Sequence, residues 1–151
     1  MKYSLPILLF CLLFLNCGDD QRLTYNEQLE VDAEIIEEYL AANNLDAEVG
    51  DLGLRYIIDE PGVGDNPTAA STVIVKYKGY FPDGTVFDES EAFQTSLQGT
   101  ITGWRLGIPL FKKGGKGKLF LPSSLGYGEF GTSGIGPNQV IIFDVELINF
   151  L

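Results

Sequence analysis

No histidine occurs among the 151 residues. This excludes histidine metal ligands, Ser-His-Asp and Cys-His catalysis, and a histidine pH switch. Cysteine is nearly as scarce. Cys11 and Cys17 both fall in the first 17 residues, so the chain beyond them holds no disulfide, thiolate nucleophile or zinc cluster. Bases are few, 10 Lys and Arg against 21 Asp and Glu, for a net charge of -11. So acidic a chain is a poor match to nucleic acid, which selects a basic face. No apolar run reaches the roughly 20 residues of a membrane-spanning helix.

What is present suffices for one core. The chain is 45% hydrophobic and 12% aromatic, a globular composition at a length of one domain plus a small appendage. The acidity is uneven. Residues 18–60 carry 13 acids and 2 bases, whereas residues 61–151 carry 8 and 7. Glycine is uneven too: 11 of the 18 lie between Gly99 and Gly136, which marks a turn-rich region and not a helical bundle.

The N-terminus reads as a targeting segment. Lys2 supplies a positive start, and Leu5 to Leu15 is an apolar run of the length of a signal h-region. Hydrophobicity stops at Asn16-Cys17-Gly18-Asp19-Asp20. This resembles a bacterial lipoprotein signal, with cleavage before Cys17 and lipid on its thiol. Asn16 departs from the Gly, Ala or Ser usual before that cysteine. The expected division is a signal over 1–16, a lipid-anchored tether with an acidic helix over 17–46, and a domain over 47–151.

Thr24-x-x-Glu27 is a capping box in front of an amphipathic run. Leu29, Ile35, Ile36, Tyr39 and Leu40 recur at helical spacing, with Glu27, Glu30, Asp32, Glu34, Glu37 and Glu38 between them as a solvated face. From Leu54 the period changes to two. Strands are expected over Leu54–Ile58, Thr72–Phe81, Val86–Asp88, Phe93–Leu97, Lys116–Leu121 and Gln139–Asn149. Pro82-Asp83-Gly84 is a hairpin turn, Trp104 to Phe111 a short helix limited by Pro109, and Leu125 to Pro137 a Gly-rich loop. The class is α+β, an antiparallel sheet with one short helix packed on it and an acidic helix in front. The change of period at Leu54 marks a boundary, so deleting 18–46 is expected to leave the domain's chemistry within a few-fold.

Five segments stand in order: Val75-x-Tyr77-x-Gly79, Asp83-Gly84-x-x-Phe87-Asp88, Ile101-x-Gly103-Trp104, Leu125-Gly126-Tyr127-Gly128 and Val140-x-x-Phe143-Asp144-Val145-Glu146-Leu147. Together they resemble the FKBP family of peptidyl-prolyl cis-trans isomerases, and the helix and signal in front resemble its bacterial cell-envelope members. The resemblance implies a five-stranded antiparallel half-barrel wrapped around a short helix, with the substrate proline in the hollow between them. Tyr77, Phe87, Phe93, Trp104 and Phe143 would wall that hollow, with Trp104 as its floor. Thr100 and Ile101 would form one rim, the Ile101 N–H bonding a substrate carbonyl. Tyr127 would offer its hydroxyl, Asp88 would be the charged group at the mouth, and Ile135 would close the loop side. Thr95 stands where the family often has an aromatic, and Gly136 where it has an apolar residue.

The resemblance implies no cofactor and no metal. The partners would be proline-containing polypeptides of the envelope and, through the lipid, a membrane. Such a site needs no base, which suits a chain without histidine. Two other readings stay open, a proline-pocket binding module or chaperone with little turnover, and a scaffold in one envelope complex such as secretion or gliding motility. Turnover on a short proline peptide separates them.

Overall fold

The structure, a computed structural model, describes residues 23–151. The expected signal over 1–16 and the lipid attachment at Cys17 lie outside the described residues. Among those described, no helix is long and apolar enough to cross a membrane.

The strands are β1 (Glu48–Val49) and, from the period-two segments, β2 (Arg55–Glu60), β3 (Thr72–Tyr80), β4 (Val86–Ser96), β5 (Lys116–Leu121) and β6 (Ile141–Phe150). They build one antiparallel sheet in the order β1-β2-β5-β6-β3-β4. It has six strands where five were expected. The extra one, β1, pairs only two residues with β2, too few to show any alternation in the sequence. The segments expected at Val86–Asp88 and Phe93–Leu97 are one strand. Val75 faces Phe93 while Tyr77 faces Ser90, so β4 carries an extra residue between them. That β-bulge interrupts the alternation and divides the strand's pattern in two.

The sheet buries one face and, at one end only, the other. Leu119, Leu121, Ile141, Phe143, Val145 and Leu147 enter one core together with Trp104 and Ile108. The alternate positions Phe120 and Ile142 enter a second. On the first face lies α2 (Thr102–Gly107), which begins two residues before the expected Trp104 and passes at Pro109 into a 3₁₀ turn over Ile108–Leu110. Two glycines let it lie close. A Cβ on Gly103 would overlap the Leu121 side chain, and one on Gly107 would sit 2.6 Å from that of Leu119.

On the second face lies α1 (Tyr25–Ala42). The capping box forms: the Glu27 N–H donates to Thr24 Oγ1 at 3.3 Å, and the Thr24 N–H donates to Glu27 Oε2 at 2.8 Å. Ile36 and Leu40 are buried against Tyr80, Phe120, Val140 and Ile142, so the helix is packed on the domain and is not a free arm. One acid is also misplaced in the sequence reading. Asp32 does not belong to the solvated face; it is fully buried. Positions 32, 36 and 40 share one helical face, so its spacing already put it on the packed stripe. Its carboxylate is tolerated there because hydrogen bonds satisfy it.

Candidate active site

The sheet's first face and α2 enclose a hollow of about 300 Å³. Trp104 and Phe143, 4% and 3% exposed, are its deep wall, while Phe93, 41% exposed, stands at its rim. The Trp104 ring centroid lies 5.0 Å from Tyr77, 5.5 Å from Phe143 and 6.3 Å from Phe93, each edge to face. Phe87 meets Phe143 at 90° with centroids 5.7 Å apart. Such tilted contacts suit the ring quadrupoles, positive edge to negative face. Gly79 makes the cluster possible, since a Cβ there would sit 2.6 Å from the Phe87 ring and 2.8 Å from that of Phe143. The Trp104 Nε1–H is buried without a partner among the described residues.

The polar groups sit around this aromatic cup. Among the described residues, Asp88 is the only charged one lining it. It accepts a hydrogen bond from Tyr77 Oη at 2.6 Å. Burial, and then that bond, push the Tyr77 phenol well above its ordinary range. The Tyr127 phenol is pushed up as well, by burial first and then by the negative charge of Asp88. Thr100 Oγ1 donates to the Leu97 carbonyl at 2.8 Å, so this hydroxyl is engaged locally. The Ile101 carbonyl accepts from the N–H groups of Trp104 (3.1 Å) and Arg105 (3.3 Å), opening α2. The Ile101 N–H itself donates to no backbone group among the described residues.

The hollow thus brings together Tyr77, Phe87, Asp88, Phe93, Thr100, Ile101, Trp104, Tyr127 and Phe143. It does not include Ile135. That side chain, placed at the rim in the sequence reading, is 5% exposed and packs in the core with Leu125 and Ile141. The reason is a tight turn: Thr132 and Ile135 exchange N–H to carbonyl bonds of 2.8 and 3.0 Å, and Gly134 takes a left-handed φ of 83°. Two lining residues were missed, Thr95 and Gly99. Thr95 was within reach, because it lies two residues from Phe93 on the same strand face. Gly99 has no side chain to signal it.

A family profile described as FKBP-type peptidyl-prolyl cis-trans isomerase matches residues 64–148. The chain is similar to FKBP-type peptidyl-prolyl cis-trans isomerase FkpA of Escherichia coli K12, 46% identical over 101 residues covering 64% of this chain and 37% of that protein. It is also similar to peptidyl-prolyl cis-trans isomerase Mip of Coxiella burnetii, 37% identical over 124 residues covering 78% and 54%. Only part of each of these longer proteins is therefore matched. The crystal structure of Escherichia coli FkpA superposes with a TM-score of 0.72 at 37% identity, covering 83% of this chain and 63% of that one. A peptidyl-prolyl cis-trans isomerase from Pseudomonas syringae superposes at 0.73 with 27% identity, covering 85% and 97%.

Proposed function

The chain belongs to the family of FKBP-type peptidyl-prolyl cis-trans isomerases, and from that premise we propose that it catalyses rotation about X-Pro bonds in polypeptides of the cell envelope. One observation carries the reading: an aromatic cup of about 300 Å³ whose single charged residue, Asp88, is engaged by Tyr77. Residues 47–151 hold every group of the reaction, and 17–46 attach them to a membrane.

Rotation about a peptide C–N bond costs ~18–20 kcal/mol because resonance makes it partly double. X-Pro bonds populate both isomers and exchange over tens to hundreds of seconds. The twisted transition state has lost the resonance and is less dipolar than the planar amide. An apolar cup of Trp104, Phe143, Phe87, Phe93 and Tyr77 therefore disfavours the planar form more than the twisted one, which is differential binding without a covalent step. The Ile101 N–H and the Tyr127 hydroxyl hold the flanking carbonyls, and Thr100 shapes the rim beside them. Asp88 fixes the Tyr77 phenol and takes no proton.

The deciding experiment is isomerisation of a short Leu-Pro peptide by the full chain. Absence of turnover with the fold intact refutes the reading and favours a binding module. The rim beside the proline, Phe87, Phe93 and Ile101, is apolar, and Asp88 leaves an acidic neighbour at a disadvantage. Leu-Pro and Phe-Pro peptides should therefore turn over faster than Glu-Pro, and equal rates for the three count against this cup.

No proton moves in this scheme. Both tyrosines lining the cup have raised pKa values, so they keep their protons past the reference value of about 10, and any alkaline limb lies above it. The pH profile of kcat/KM should be flat from about pH 6 to 8.5. Tyr127→Phe should cost one hydrogen bond, ~0.5–1.5 kcal/mol or roughly two- to twelve-fold in kcat/KM. Complete loss in Tyr127→Phe, or a limb near neutrality, reopens proton transfer.

The abrupt polar switch at Asn16-Cys17 supports lipidation of Cys17. Cys17→Ser should move the protein from the membrane to the soluble fraction. A wild type that is already soluble refutes the anchor.

A further inference from the structure

α1 does not line the aromatic cup, yet one of its side chains reaches the loop that supplies Tyr127. Oδ2 of the buried Asp32 accepts two hydrogen bonds from one residue 91 positions away: the Ser123 N–H at 2.8 Å and the Ser123 hydroxyl at 2.6 Å. Its Oδ1 accepts from Gln28 Nε2 at 2.7 Å, one turn earlier on the helix. Three donors hold this one carboxyl group, and no cation pairs with it among the described residues.

From Ser123 to Tyr127 the chain has little freedom. The Leu125 N–H donates to the Pro122 carbonyl at 2.9 Å and the Gly126 N–H to that of Ser123 at 3.0 Å, closing a 3₁₀ turn over Ser123–Leu125. The Leu125 side chain is buried in the first core. Beyond Tyr127 the loop turns outward through Gly128 at φ 61°, and Phe130 is 84% exposed. The stem in front of Tyr127 is thus anchored, and Ser123 is where α1 holds it.

We infer that Asp32 is a positioning residue for isomerisation: through Ser123 it holds the stem of the Gly-rich loop so that the Tyr127 hydroxyl stays in the cup. The kinetic side of this inference rests on the isomerase reading, and the structural side does not. The acidic helix is then part of the support of the site as well as its link to the N-terminus.

The test is a cycle in the full chain with Asp32→Ala and Tyr127→Phe, singly and together. Asp32→Ala should lower kcat/KM by roughly the two- to twelve-fold of Tyr127→Phe, and the double variant should be no slower than the slower single one. Asp32→Asn keeps an oxygen acceptor and should restore most of the loss. Leu40→Ala, which loosens the same helix without touching Ser123, should lower stability and leave kcat/KM unchanged. In Asp32→Ala the Gly126 and Gly131 amides should exchange about tenfold faster than the loss of global stability accounts for. If Asp32→Ala does not fold, Ser123→Ala removes the hydroxyl bond alone and should give a smaller loss with the same non-additivity. Losses that multiply in the double variant, or an equal loss in Leu40→Ala, overturn the inference. If the wild type shows no turnover, the isomerase reading fails and exchange decides alone, with unchanged protection of Gly126 and Gly131 overturning the positioning role.

Discussion

Trp104→Ala should lower kcat/KM by roughly 30- to 160-fold and cost ~3–5 kcal/mol of stability. The indole is the hub of the cup, in contact range of Tyr77, Phe93 and Phe143, and α2 can present it only because Gly103 and Gly107 let the helix lie on β5. Truncation leaves the cup without its floor and admits water. Water restores the hydration of the planar amide, and the preference for the twisted state falls with it. Loss of the apolar contact beneath a proline ring is worth ~2–3 kcal/mol, which sets the kinetic figure. Trp104→Phe separates the two effects. It keeps an aromatic floor, and it removes the buried Nε1–H that has no partner among the described residues. Efficiency within a few-fold of wild type is expected for Phe. An Ala variant that folds and keeps wild-type efficiency shows that proline binds elsewhere. Peptide isomerisation measured beside urea denaturation decides.

The aromatic wall was legible because each of its members stands in an ordered motif or at a period-two position. Their meeting was not. It depends on register, with Gly79 opposite Phe143 on one side and Asp88 on the other, and on Gly79 having no Cβ to part the rings. The burial of Ile135 was not legible for a different reason. In a Gly-rich loop no periodicity tells inward from outward, and here a tight turn through Gly134 decides. Asp32 shows composition overriding spacing. Five acids flank it on the same helix, so it read as one more solvated carboxylate, although its distance from Ile36 and Leu40 placed it on the packed face. Ser123, its partner, has no local signal, since the bond spans 91 residues.

Deletion of residues 23–46 should destabilise the domain by on the order of 5 kcal/mol, comparable with the whole stability of a small domain. The sequence suggested a dispensable arm, because its charge and period differ from those of the strands beyond Leu54. Packing reverses that expectation. Ile36 and Leu40 are buried in the second core, each worth ~1.5–3 kcal/mol of removal from water. The Tyr39 ring centroid lies 5.9 Å from that of Phe120. Without α1, the second-face side chains of Tyr80, Phe120, Val140 and Ile142 become a contiguous apolar patch on a sheet, which favours aggregation. Ser123 also loses the acceptor for its N–H and hydroxyl. The single substitution Ile36→Ala should reproduce part of the effect, ~2–5 kcal/mol, without removing any charge. Urea midpoints of the full chain, the deletion and Ile36→Ala, with solubility followed in parallel, measure it. A deletion variant with an unchanged midpoint would mean that the first core stands alone and that the contacts of α1 add nothing to it.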